Sequence, residues 1–273
     1  MRKPLTTRAA IMAKLEMEKQ TARLAGAAIA SAGLVGAAWL VDALRRDRWS
    51  RQMHRKLVDL LLNALTADDP VTARHSRRVA DLTSVLAETC GELTRPELAT
   101  LRVAALLHDM GKIDDRFFLI VHSRKRLSEE QRAEIKHHPH LSATILEPLE
   151  EMHPGIQRIV SSHHECWDGS GYPCGIGREE IPLAARIIAV ADVFDALTQP
   201  RKYKEAMRVE EALEKLDEGA GRQFDPRLVE MVESGPVLAR WTEIALQGQR
   251  DEQQHLEHPN PTEAALDEVA AGV

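Results

Sequence analysis

The sequence predicts an all-α fold, a helical bundle preceded by one apolar N-terminal helix. Three observations predict it. From about residue 51 onward, apolar residues recur at helical spacing. No segment alternates apolar and polar residues as a half-buried strand would. Ala and Leu are plentiful while aromatics make up only 4%, a composition that favours helices.

The elements follow in order. Residues 24–41, "LAGAAIASAGLVGAAWLV", carry no charge, and a membrane-spanning helix needs ~17–25 apolar residues. Arg23 precedes the run, and Arg45, Arg46 and Arg48 follow it, with Trp39 near one end. The excess of positive charge after the run would keep the larger C-terminal part in the cytoplasm, anchored to the inner membrane. The alternative is a buried Ala-rich helix of a soluble bundle. "LVDLLLNAL" (57–65) is helical by period. Asp69 and Pro70 then supply an N-cap and a first-turn proline, and the helix they open reaches Gly91. Pro96 opens another helix, expected to stop at Gly111. "SEEQRAEIKHHPHLSATILEPL" is helical with an interruption near Pro139. "GIQRIVSSHHE", the strongly apolar "LAARIIAVADVFDALT" (183–198), "VEEALEKLDEG" and "DPRLVEMVES" complete the pattern. The C-terminal residues are acidic and polar with little period, and are expected to form a flexible tail.

At 273 residues the chain holds one sizeable domain with extensions. The net charge of -6 argues against a binder of DNA or RNA polymers. Three cysteines form no disulfide framework and no CxxC pair, which points to a reducing compartment.

Candidate metal ligands are scattered over the predicted helices. Asp192 sits inside "IIAVADVFDAL", where a charged, unpaired carboxylate costs several kcal/mol. It must be protonated, paired with a buried Arg or bound to a cation. His108 and Asp109, in "LLHDMGK", end an apolar helix, though a His-Asp dipeptide is common by chance. His163 and His164 are either a solvated pair or two ligands. His75 and the histidines around 138 add to the set. Imidazoles and carboxylates brought together from several helices would suit iron, manganese or zinc better than calcium or magnesium.

Taken together, "HSRRVA" (75–80), "HDMGKI" (108–113), "HHP" (137–139), "HHECWDGSGYP" (163–173), "IPLAARIIAVADVFDALT" (181–198), "RKYK" (201–204) and "FDP" (224–226) resemble the HD-GYP family of metal-dependent phosphohydrolases, in that family's order. The resemblance covers about residues 51–240. It implies an HD-domain helical bundle with a C-terminal HD-GYP extension. The chain would divide into an N-terminal tail (1–23), a candidate transmembrane helix (24–41), a helical linker (42–66), the catalytic domain (67–240) and a flexible acidic tail (241–273).

The resemblance also implies roles. His75, His108, Asp109, His138, His163, His164 and Asp192 match the ligands of two metals, iron or manganese in the family, with Asp109 bridging both and His137 a bystander. Lys112 matches a lysine near the scissile phosphate, Tyr172 the signature tyrosine beside the substrate, and Arg201 and Lys204 the basic residues on the nucleotide phosphates. On composition alone, Arg201 and Lys204 would read as a solvated basic turn. Trp167 reads as core packing and Tyr172 as a stacking face at the rim. The activity implied is hydrolysis of cyclic di-GMP to linear pGpG, and further to GMP, by a hydroxide activated between two metals. Two competing readings are a phosphodiesterase for another cyclic dinucleotide such as cyclic GMP-AMP, and a non-catalytic module that senses the messenger and docks on a signalling protein. The helices near 55–65 could pair two chains or pack on the domain. Some members carry a third-metal glutamate four residues before the first histidine. Val71 stands there, so two metals are expected. Cys166, Lys202 and Ser142 also depart from the family's usual residues, and the region after Lys112 lacks its usual proline.

Overall fold

Asp69 opens the first helix of the core. Its carboxylate accepts hydrogen bonds from the N–H groups of Val71 and Thr72, and Pro70 fills a first-turn position where no N–H is needed. This helix, α1, runs Pro70–Cys90 and ends at Gly91, whose φ of 69° lies in the left-handed region.

The structure is a computed structural model that describes residues 52–53, 56–67, 69–114, 117, 128–200 and 205–257. The chain divides into two units, Met1–Leu57 and Val58–Val273. Of the first, residues 52–53 and 56–57 are described, and they are helical. The apolar run at 24–41 lies outside the described residues. Among those described, no helix is long and apolar enough to cross a membrane.

In the second unit, residues 58–67 are helical, and Leu65 is buried. That end of the expected linker therefore belongs to the core. After α1, Thr94 and Glu97 form a capping box that starts α2, Arg95–Leu107. The helix was expected to reach Gly111. It stops at His108, and a tighter turn, Met110–Ile113, takes over. The segment predicted to break near Pro139 does so: α3 is Glu129–Ile135 and α4 is His138–Ile145. Proline has no N–H to donate and its ring crowds the preceding turn. The tight turn after α2 then presses against α4. Gly111 N donates to Ser142 Oγ at 2.8 Å, and a Cβ on Gly111 would meet His138 O at 2.4 Å. Only glycine permits that approach.

α5, Ile156–Ser161, leads into the two histidines. α6, Leu183–Thr198, is the central helix. It buries Ile187, Ile188, Val190, Ala191 and Phe194 completely, which accounts for its almost continuous apolar sequence. α1, α2 and α6 form the centre of the bundle, and small residues at Ala73, Ala80, Ala104, Ala105 and Ala185 let their backbones approach. α7 (Val209–Gly219) and α8 (Pro226–Glu233) close one side. The described residues contain no strand, only an isolated bridge between Ala220 and Phe224.

The expectation of a flexible tail from residue 241 is corrected. A helix, α9, spans Gly235–Glu257 and packs on α1, α6 and α8. Trp241 is fully buried, donates from Nε1 to Leu82 O at 3.1 Å and lies 4.8 Å from the Phe194 ring. Most of this helix is polar, so its period is faint in the sequence. Its buried apolar side chains, Val237, Trp241 and Ala245, share one face, while Leu246 and Leu256 are exposed. Residues 258–273 lie outside the described residues.

Candidate metal centre

Helix ends position five of the candidate ligands and helix interiors the other two. His75 projects from inside α1, His108 caps α2, and Asp109 opens the tight turn that follows. His138 is the first residue of α4, His163 and His164 follow α5, and Asp192 projects from the middle of α6. All seven meet in one cluster. The ligand atoms of His75, His108 and Asp192 lie within 4.8 Å of one another, as do those of His138, His163 and His164. Asp109 joins the two groups, since His108, Asp109 and His163 meet the same criterion. Asp109 Oδ2 is 3.5 Å from His108 Nε2, and Oδ1 is 3.2 Å from His138 Nε2 and 3.9 Å from His163 Nε2.

Three of the imidazoles are held in the same way. Nδ1 of His108, His138 and His163 each faces the carbonyl oxygen three residues earlier, at 2.9, 2.6 and 2.6 Å. A carbonyl can only accept, so Nδ1 carries the proton, and in a neutral ring Nε2 presents its lone pair. Those three Nε2 atoms and Asp109 Oδ1 are buried without a hydrogen bond. Such orphaned polar atoms are costly and rare in folded proteins. Grouped as they are here, they make a donor set suited to divalent cations.

The electrostatics agree. Burial lowers the pKa of His108, takes that of His163 well below its ordinary value, and brings that of His164 down to about 3. These rings stay neutral and able to ligate. His75 is different. Burial opposes its charge, but contacts with Asp192 and Asp195 outweigh this and push its pKa up to about 9. Its Nε2 is 3.0 Å from Asp192 Oδ1 and its Nδ1 is 2.7 Å from Asp195 Oδ2. Burial alone would raise the Asp109 carboxyl, yet the Lys112 ammonium holds it well below the usual carboxylate range. Asp192 is likewise lowered, burial being outweighed by His75. The Asp109 and Asp192 carboxylates are therefore ionised, as ligation of a cation requires.

Lys112 places Nζ 2.6 Å from Asp109 Oδ2, with part of its side chain still open to solvent. Tyr172 lies 4.9 Å from the His164 ring, and its N–H donates to His164 O. The loop that carries it is built from the backbone. Glu165 accepts hydrogen bonds from the N–H groups of Cys174 and Gly175, and a Cβ on Gly171 would meet Cys166 N at 2.2 Å. Trp167 takes a packing role, its ring beneath the Arg186 guanidinium at 5.6 Å. His137 is exposed, outside the cluster. Arg201 and Lys204 lie outside the described residues.

Sequence reasoning missed Asp195, the carboxylate that faces His75 Nδ1. Its signal was present: Asp195 follows Asp192 by three positions in the same apolar helix, and residues so spaced share a face. Arg78, which donates to both Asp195 oxygens at 2.7 and 3.0 Å, stands in the same relation to His75.

An all-α bundle with buried imidazoles and carboxylates converging from five helices defines a class, the helical proteins built around a metal centre. Within that class the chain belongs to the HD domain family, whose model matches residues 59–228, and its sequence strings are those of the HD-GYP branch. It is 37% identical over 185 residues to the cyclic di-GMP phosphodiesterase response regulator RpfG of Xanthomonas campestris pv. campestris, a match that covers 67% of this chain and 48% of that protein. It is 36% identical over 197 residues to the 3'3'-cGAMP-specific phosphodiesterase 2 of Vibrio cholerae, covering 71% of this chain and 36% of the relative. The chain thus spans half or less of the length of these relatives. Among solved structures, the cyclic GMP-AMP specific phosphodiesterase V-cGAP3 of V. cholerae shares the fold, with a TM-score of 0.51 and 23% identity over 70% of this chain and 53% of that one.

Proposed function

We propose that this chain is a metal-dependent phosphodiesterase that opens cyclic di-GMP to linear pGpG, and further to GMP. The observation that carries the reading is the set of buried, unbonded Nε2 atoms of His108, His138 and His163 around Asp109. His75, His108, Asp109 and Asp192 would hold one divalent cation, and Asp109, His138, His163 and His164 a second, iron or manganese in each case. Two such cations would lower the pKa of a water and offset the charge of the phosphodiester.

The remaining work falls to the side chains. Asp109, ionised and fixed at the head of the tight turn, orients both halves of the ligand set. Lys112 presents a compact positive charge to a non-bridging phosphate oxygen, where charge builds up during attack. Tyr172 offers its ring to a guanine. Arg201 and Lys204 would grip the phosphates. In the reaction a phosphorus–oxygen ester bond breaks, water oxygen is added to phosphorus, and its proton ends on the departing ribose oxygen. Cys90, Cys166 and Cys174 are all free thiols, which suits a cytoplasmic reaction. Anchoring to the inner membrane through residues 24–41 belongs to the same proposal, and cell fractionation checks it.

A second reading, preference for cyclic GMP-AMP, has specific support: relatives named for the two substrates are almost equally similar to this chain. The full chain, loaded anaerobically with iron or manganese and incubated with each dinucleotide, should give linear products separable by chromatography. Tight binding of a dinucleotide without hydrolysis of any would overturn the enzymatic reading and leave a sensor.

A further inference from the structure

His75 is held unlike His108, His138 and His163. Where His108, His138 and His163 are each fixed by their own backbone, His75 Nδ1 faces Asp195 Oδ2 on α6. Asp195 is gripped by Arg78 through Nε and Nη2. Arg78 then turns its third nitrogen away from the site, and Nη1 donates to Glu252 Oε1 on α9 at 2.8 Å. Arg74 completes the arrangement, donating from Nε to both Glu252 oxygens at 3.1 and 3.2 Å and from Nη2 to Oε2 at 2.9 Å. Asp195 and Glu252 are both buried.

From these contacts we infer that Glu252 is a positioning residue for the metal centre, acting on His75 through Arg78 and Asp195. The inference rests on the reading of His75 as a ligand. Charge makes the chain of contacts directional. Arg74 and Arg78 lie four residues apart on one face of α1, where like charges repel. Glu252 bridges that pair and offsets part of its charge from a helix that itself contributes no ligand. Without it, two guanidinium groups would compete for Asp195, and the carboxylate that sets the His75 ring orientation would be drawn away. Carboxylates that orient a ligating histidine matter roughly 10- to 100-fold in metal affinity. Here that orientation is underwritten by a third layer, supplied from about 175 residues further along the chain. The orientation of one ligand of the first cation thus depends on a carboxylate carried by α9.

The test is manganese affinity and stoichiometry of the full chain, read by chelator competition and metal analysis rather than by turnover. Glu252→Gln preserves the shape of the side chain and removes its charge. It should weaken one of the two manganese ions roughly 10-fold or more and leave the other unchanged. Glu252→Asp should recover part of that loss. Val237→Ala loosens α9 from a fully buried position outside the relay, and it should leave both affinities as they are. His75→Ala separates the two readings: it should lose one ion outright, and normal loading there would overturn the ligand assignment itself. Loss of one ion in His75→Ala with wild-type affinities in Glu252→Gln would overturn the relay alone. Equal losses in Glu252→Gln and Val237→Ala would also overturn it, since the effect would then be general loosening of the helix.

Discussion

Asp109 Oδ1 and His138 Nε2 lie 3.2 Å apart in the buried centre of the bundle, and neither makes a hydrogen bond. Coordination of a common cation would account for that approach. Asp109→Ala should therefore abolish metal loading and turnover together, because Asp109 joins both halves of the ligand set. Metal analysis of protein purified without air is the check, and full activity in this variant would rule the site out.

Metal removal should be visible in stability as well as in rate. A ligand held at 100 times its dissociation constant adds about 2.7 kcal/mol per site, and roughly 5–10 °C in Tm for a domain of this size. Treatment with a chelator should lower the melting temperature by that order and stop hydrolysis. Anaerobic return of manganese or iron should restore both. A chelated protein that melts unchanged would argue against a bound cation in the fold.

Tyr172 leans on the His164 ring from the rim of the site. Stacking of a base on an aromatic ring is worth about 1–3 kcal/mol. Tyr172→Ala should raise KM for the dinucleotide roughly 5- to 150-fold and leave metal stoichiometry intact. Steady-state kinetics with parallel metal analysis separates this from collapse of the neighbouring ligands.

Arg186 and Asp225 form a buried ion pair at 2.6 Å, and Asp225 also caps α8 through the N–H of Arg227. Removing one partner of such a pair costs about 3–5 kcal/mol, because the other charge stays buried. Arg186→Leu should lower Tm by roughly 6–20 °C. Thermal melting followed by circular dichroism measures it, and a change of only a degree or two would show that water already solvates the pair.

Gly111→Ala probes how the site is positioned. Its Cβ would fall 2.4 Å from His138 O and 2.8 Å from Ser142 N, both backbone atoms with little room to move. The expected cost is about 1–3 kcal/mol, with reduced metal occupancy because Asp109 and His138 are pushed apart. Wild-type occupancy in this variant would mean that the turn has slack.

By itself the sequence determined the helical class and the residue types of the site. Periodicity, caps and prolines are local signals, and they placed α1, α2, the break at Pro139 and α6 close to where they lie. The seven candidate ligands were legible because each stands in a short string of distinctive chemistry. Only the tertiary structure decided what those side chains touch. Ring tautomers at His108, His138 and His163 follow from backbone carbonyls whose placement depends on how each helix ends. The roles of Asp195 and Asp225 follow from arginines on other helices, and that of Glu252 from guanidinium groups on α1. The C-terminal helix escaped sequence reasoning for the same reason: a mostly polar helix is stabilised by the partners it meets, and contacts between residues more than a hundred positions apart leave no period in the chain that makes them.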